Sequence, residues 1–326
     1  MRSLRTVAMT LGFVFLAIST SQAKTITNYA YATDFWGGKV NAIRTSDNTV
    51  VATIPTSSPW GVAVDAAGTV ACVTNYYAGT VSLINTKTNA VTGTIQVGGG
   101  PLGVAFAPKG ANAYVANGNS DSVSVINTTT KAVLETIQVG NYPYSIVVSP
   151  DGKYVYVGNS NSGSVSVISV GKKKVVATIP VGGGVGFLSI STDGLTVYAP
   201  TFNNTGSADA IALIDTAHNT VVNRLYVDGA WGAKVSPDGQ WLYASDYIEG
   251  QGNLVTVIST ATQAVAATIQ VGASPEEVAF TADGSTAYVT NGNSGNISII
   301  DTASFTVVNT INTGSYPIGM AVMGGR

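Results

Sequence analysis

One short pattern returns along this chain at a nearly fixed interval, and that period limits the fold more than any other feature. Units open at Pro59, Pro101, Pro143, Val185, Ala230, Pro275 and Pro317, with successive spacings of 42, 42, 42, 45, 45 and 42 residues. Each unit reads as four strands. Strand A follows the opening residue, as in residues 103–106. A tight turn such as Asp151-Gly152 leads to strand B, because Asp-Gly tolerates the positive φ that a short connection needs. A loop headed by Asn75, Asn117, Asn159 or Asn291 leads to strand C. A second turn, as in residues 127–130, leads to strand D, and a Gly-rich link starts the next unit.

The last unit stops after one strand, residues 317–322, and its missing partners stand at the other end of the chain. Residues 28–34 match strand B, 39–43 match strand C and 50–54 match strand D. Complementary fragments at the two termini predict a closed ring, whereas a linear solenoid would carry capping repeats. The expected fold is therefore all-β: a seven-bladed β-propeller of four-stranded blades, closed by pairing the N-terminal strands with the C-terminal strand. Composition agrees. Only 10% of residues are charged while the mean hydropathy is +0.28, as stacked sheets with both faces buried require. The single cysteine, Cys72, excludes an internal disulfide and falls where most repeats carry Tyr, so a buried thiol is expected.

Arg2 and Arg5 precede an apolar run from Val7 to Ile18, followed by small residues at Ser21 and Ala23. This reads as a signal peptide over residues 1–23, leaving one propeller domain over 24–326. The run is shorter than the roughly 18 residues that span hydrocarbon, so no transmembrane segment is expected in the mature chain. A secreted, periplasmic or cell-surface location follows, with the protein a monomer.

The sequence Tyr288-Val289-Thr290-Asn291, with variants at residues 73–75 and 114–117, resembles the YVTN repeat signature. Ser274-Pro275, Ala282-Asp283-Gly284 and Ile299-Ile300-Asp301-Thr302 match the rest of that repeat. The resemblance spans nearly the whole mature chain. It implies kinship with surface-layer-like proteins, periplasmic propellers and lactonase-like propellers. Fold alone does not select a function among these.

Function is sought where the repeats depart from one another. The B–C loops and D–A links share one face, and both lengthened spacings place extra residues in the B–C loops of blades four and five, residues 201–209 and 246–253. The position after each opening residue also varies, giving Trp60, Leu102, Tyr144, Gly186, Trp231, Glu276 and Ile318. A ligand site is expected on that face from Asp34, Trp36, Trp60, Tyr144, Phe202, Trp231, Asp246, Tyr247, Glu249 and Glu276. Aromatic rings offer contact area at low entropic cost and carboxylates orient a ligand. The competing reading is that Trp60 and Trp231 plug the central channel.

Enzymatic chemistry is poorly supported. The one histidine, His218, falls in a C–D turn away from the long loops, so no Ser-His-Asp arrangement has a base near the channel mouth. The expected function is an extracytoplasmic binding module for a protein, glycan or cell-envelope component, without catalytic residues, cofactor or metal. The alternative is a lactonase-like hydrolase or lyase using carboxylates from Asp34, Asp246, Glu249, Glu276 and Glu277, with a divalent cation such as Ca²⁺ on their oxygens. A formal net charge of −2, and a lone basic run at residues 172–174 on the opposite face, argue against nucleic acid.

Overall fold

The structure, a computed structural model, describes residues 28–202, 209–247 and 252–324. These form seven sheets arranged as blades of antiparallel strands. Blade one, for example, runs Pro59–Val64, Val70–Asn75, Thr80–Asn85 and Ala90–Gln96 from the axis outward. The closing blade pairs Pro317–Val322 with Tyr29–Asp34, followed by Lys39–Arg44 and Thr49–Pro55. Its register sets Ala30 opposite Val322, Ala32 opposite Met320 and Asp34 opposite Pro317. The ends of the chain thus share a sheet, which completes the seventh blade as four strands. Residues 1–23, expected from the sequence to be a signal peptide, lie outside the described residues. Among the described residues, no helix is long and apolar enough to cross a membrane.

The apolar residues of strands A to C pack between neighbouring blades. Cys72, Leu83, Val104, Val115 and Ile126 form one such cluster, between blades one and two. Cys72 is buried there, and burial pushes its thiol well above the ordinary value. His218 is exposed in its turn, paired with Asp215.

Polar repeat positions weld the blades together. The hydroxyls of Thr33, Thr74, Ser245 and Thr290 on strand B donate to the carbonyls of Trp60, Leu102, Glu276 and Ile318 on strand A of the next blade, at 2.6–2.7 Å. At the first three contacts there is no room for a side chain on the facing strand, which carries Gly319, Gly61 and Gly232. A Cβ at Gly61 would stand 2.5 Å from the Leu102 oxygen, and one at Gly319 would stand 2.5 Å from the Trp60 oxygen. The asparagine heading the B–C loop is structural too. Asn75, Asn117 and Asn159 each donate to two hydroxyls of strand C, and Asn291 donates to Asn296 and Ser298.

Blade four breaks the pattern. Its strand A is split into Gly184–Val185 and Ser189–Ile190. Between them Phe187 bonds to Trp231 and Ala233 of blade five, at 2.9 and 3.1 Å. A Cβ at Gly186 would fall onto the Trp231 oxygen. The inward position assigned to Gly186 from the repeat register therefore passes to Phe187.

At the closure, Asp34 takes the place of the loop-heading asparagine. Its Oδ1 accepts from the backbone N–H groups of Gly37, Ser315 and Tyr316 at 2.9–3.1 Å, and Lys39 lies 3.6 Å from its Oδ2. Removing this acceptor strands buried donors at the joint between the termini. Asp34→Ala is expected to lower unfolding stability by about 3 kcal/mol, and Asp34→Asn, which keeps an oxygen there, by about 1 kcal/mol or less. Urea denaturation checks both, and equal losses would contradict the assignment.

Candidate functional site

Strand A of every blade lines the central channel, so its alternating side chains decide whether the channel is open. On the face of the B–C loops and D–A links it is closed. Phe35, Leu102, Tyr144, Phe187 and Ile318 form a buried cluster, with Trp60, Tyr76, Tyr142, Trp231 and Tyr316 packed against it. Tyr144 touches Phe187, Trp231 and Trp60 edge to face at 5.1, 5.4 and 6.0 Å. Such edge-to-face contacts add to the burial of each ring. The rings meet across the axis and form a plug.

The residues expected from the sequence divide accordingly. Trp60, Tyr144 and Trp231 belong to the plug. Phe202 and Tyr247 flank Trp231, at 4.8 and 5.0 Å. Asp34 and Asp246 are buried heads of B–C loops, and Asp34 is committed to backbone donors. Trp36 is exposed, with its ring 4.7 Å from that of Phe35 at the edge of the plug. Glu249 lies outside the described residues, as does most of the added length of both long loops.

Glu276 is the one charged side chain among the seven positions that face the plug. It is buried, and Tyr316 Oη donates to its Oε1 at 3.2 Å, while the Tyr247 hydroxyl lies 3.3 Å from that of Tyr316. Desolvation pushes its carboxyl up to about 8, partly offset by Tyr316 and Trp231.

Beneath the plug the channel opens into a cavity of about 440 Å³ whose rim is made by the A–B turns, with Pro108, Pro150 and Pro237. Ala63, Ala105, Val147 and Ala321 give its wall small apolar surfaces. Two lining residues are charged, Lys234 and Glu277, on adjacent blades. Glu277 follows Glu276 on strand A and so points to the other side. Its Oε2 accepts from the N–H of Met320 at 2.9 Å, tying blade six to the closing blade. Desolvation raises the Glu277 carboxyl to about 7, against the pull of Met320 N–H and the Lys234 charge. Desolvation lowers the Lys234 ammonium.

Of these two, Lys234 was not singled out from the sequence, and Glu277 was weighed only as one carboxylate among several. The signal was present in the repeat itself. At the third position of strand A the blades other than the split blade four carry Gly61, Gly103, Ser145, Gly232 and Gly319 where blade six has Glu277. At the fifth they carry Ala63, Ala105, Val147, Ala279 and Ala321 where blade five has Lys234. The departures that face the cavity lie in strand A, not in the loops. Among the described residues, no group of three or more His, Cys, Asp and Glu side chains is arranged to hold a metal ion.

Comparisons with known proteins fit this architecture. The sequence model of the family described as "Lactonase, 7-bladed beta-propeller" matches residues 98–176, which are blades two and three. Among solved structures, hydrazine synthase of Kuenenia stuttgartiensis is 25% identical with a TM-score of 0.75, over 82% of this chain and 90% of that one. A functionally unknown protein from Desulfotomaculum acetoxidans DSM 771 is 14% identical with a TM-score of 0.78, over 90% and 98%. The dihydro-heme d1 dehydrogenase NirN, in complex with DHE, is 15% identical with a TM-score of 0.69, over 91% and 76%. No curated protein matches the chain. The likenesses support the propeller fold. The matched family segment contains neither Lys234 nor Glu277.

The raised carboxyls have a signed consequence for stability. Both glutamates bind their proton more tightly in the folded chain than in the unfolded one, where the ordinary value is about 4.3. Their contribution is full below that value and is lost as pH rises through about 7 and 8. Glu276→Gln keeps an acceptor for Tyr316 and removes the charge. Urea midpoints measured from pH 5 to 9 are expected to fall less steeply in the variant, which becomes the more stable protein at the alkaline end. Parallel profiles would contradict the assignment.

Proposed function

We propose that this protein is an extracytoplasmic binding module that takes a small molecule into the central channel from the A–B turn face, with Lys234 and Glu277 as its polar anchors. One observation carries the reading. Two charged side chains on neighbouring blades face a cavity at positions that the other blades, apart from the split blade four, fill with Gly, Ser, Ala or Val. Desolvating a lysine and a glutamate costs several kcal/mol unless each is well paired, and reversion to the repeat consensus would remove that cost. Charges kept in such a place are functional-site candidates. Apolar walls and one cationic donor suit a compact organic acid or carbonyl compound with an apolar body. The plug excludes a polymer threading through the ring. The signal-like residues 1–23 support an extracytoplasmic location.

A hydrolytic role at the same site is the second reading, favoured by the family segment match and by a Glu277 carboxyl near neutrality. In it Glu277 takes a proton from water as that water attacks a lactone carbonyl. Lys234 stabilises the oxyanion, and as the acyl C–O bond breaks Glu277 returns the proton to the leaving ring oxygen, giving the open hydroxy acid.

A thermal-shift screen of small carboxylates and lactones at pH 6–8 tests the site. Lys234→Met is expected to raise the melting temperature of the free protein while abolishing the ligand-induced shift. Glu277→Gln weakens that shift, and if lactones are turned over it removes the activity. A ligand shift that survives both substitutions would contradict the proposal.

A further inference from the structure

The loop face carries a second feature that the plug does not absorb. In the B–C loops the residue two places after the loop head is Asn119, Asn161 and Asn293 in blades two, three and six. In the closing blade and blade one, which are neighbours, it is Trp36 and Tyr77. Both are exposed, at 65% and 67%. They stand on one buried ring: Phe35 lies 4.7 Å from Trp36 and 5.8 Å from Tyr77. Tyr76 braces Tyr77 at 5.1 Å and Trp60 at 5.8 Å. The exposed rings therefore rest on a packed support.

Tyr77 also forms one wall of an open groove between blades one and two, with Tyr76, Gln96, Asn119 and the three-glycine link at residues 98–100. Missing side chains keep it open. A Cβ at Gly100, where φ is +59°, would collide with the Asn119 amide at 2.6 Å. Gln96 donates its amide N–H to the carbonyl of Gly79 at 2.8 Å, which fixes the planar group and leaves its oxygen as an acceptor. Asn119 is exposed at the far side. No charged residue lines the groove.

We infer that this shelf and groove bind a neutral saccharide. The weakly positive C–H face of a pyranose ring lies on an electron-rich aromatic face, and Trp36 and Tyr77 offer two such faces on successive blades. The fixed Gln96 carboxamide, the exposed Asn119 carboxamide and open backbone match hydroxyl groups, which both donate and accept. The lack of charge disfavours phosphorylated or sulfated chains. The site lies on the face opposite the channel mouth and is independent of the channel ligand.

Tryptophan fluorescence titrations with maltotetraose, cellotetraose and tetra-N-acetylchitotetraose test it, since Trp36 is the most exposed of the four tryptophans. At least one sugar is expected to shift the emission. Trp36→Ala, followed by calorimetry, and Tyr77→Ala should each weaken that binding about tenfold. Both variants should keep the wild-type melting temperature, and Lys234→Met should leave sugar binding unchanged. Three results would overturn the inference: no response to any of the three sugars at millimolar concentration, binding that survives both substitutions, or a wild-type dimer in sedimentation that Trp36→Ala converts to monomer. The last would assign the shelf to a second copy of the chain.

Discussion

At four of the seven junctions between blades, a hydroxyl on strand B reaches the carbonyl of the next strand A, and the geometry of the centre depends on that reach. The bond at Thr33, Thr74 and Ser245 holds the inner strands so close that the facing residue is glycine, at 319, 61 and 232, while Thr290 faces Glu277. Close inner strands make a narrow channel. A narrow channel lets the side chains one position earlier meet across the axis. The plug of Leu102, Tyr144, Phe187 and Ile318, with Trp60 and Trp231, follows from the same contact that joins the blades.

The plug in turn gives the two faces separate roles. Below it lies a cavity reached from the A–B turns, with its charge concentrated in Lys234 and Glu277. Above it stand rings that have no place inside the plug, Trp36 and Tyr77, supported by Phe35. Glu276 and Glu277 show the division within two residues of one strand. One carboxyl hydrogen-bonds Tyr316 among the plug aromatics, and the other ties the closing blade and faces the cavity. Both are raised by desolvation, although they serve different surroundings.

The architecture was legible in the sequence because register, strand pattern and complementary termini are all one-dimensional information. Seven units, four strands per blade and closure through residues 28–34 and 317–322 could be read directly. The face shared by the B–C loops and D–A links was legible for the same reason. Whether Trp60, Tyr144 and Trp231 rim a mouth or fill it was not, because the answer depends on distances across the axis that no repeat unit encodes. Gly186 was misplaced because a split strand shifts the register locally, and the Trp231 carbonyl needs that space. Asp34 and Asp246 looked like ligand anchors because acidic residues had replaced asparagine there. Asp34 instead meets the backbone donors of the ring joint. Lys234 was legible as a departure from a column of Ala and Val, in a strand whose length does not vary as the B–C loops do.

The channel is closed on one face by the plug and open to solvent on the other. Thiol accessibility measures this most directly, because Cys72 is buried and supplies an unreactive internal reference. In Ala105→Cys the new thiol would sit on the cavity wall. Mass spectrometry after iodoacetamide treatment of the folded protein should show one added group, mapped to position 105, while Cys72 stays unmodified. If position 105 stays as inert as Cys72 until the protein is unfolded, the cavity is sealed from solvent and the account of a channel entered from the A–B turns is wrong.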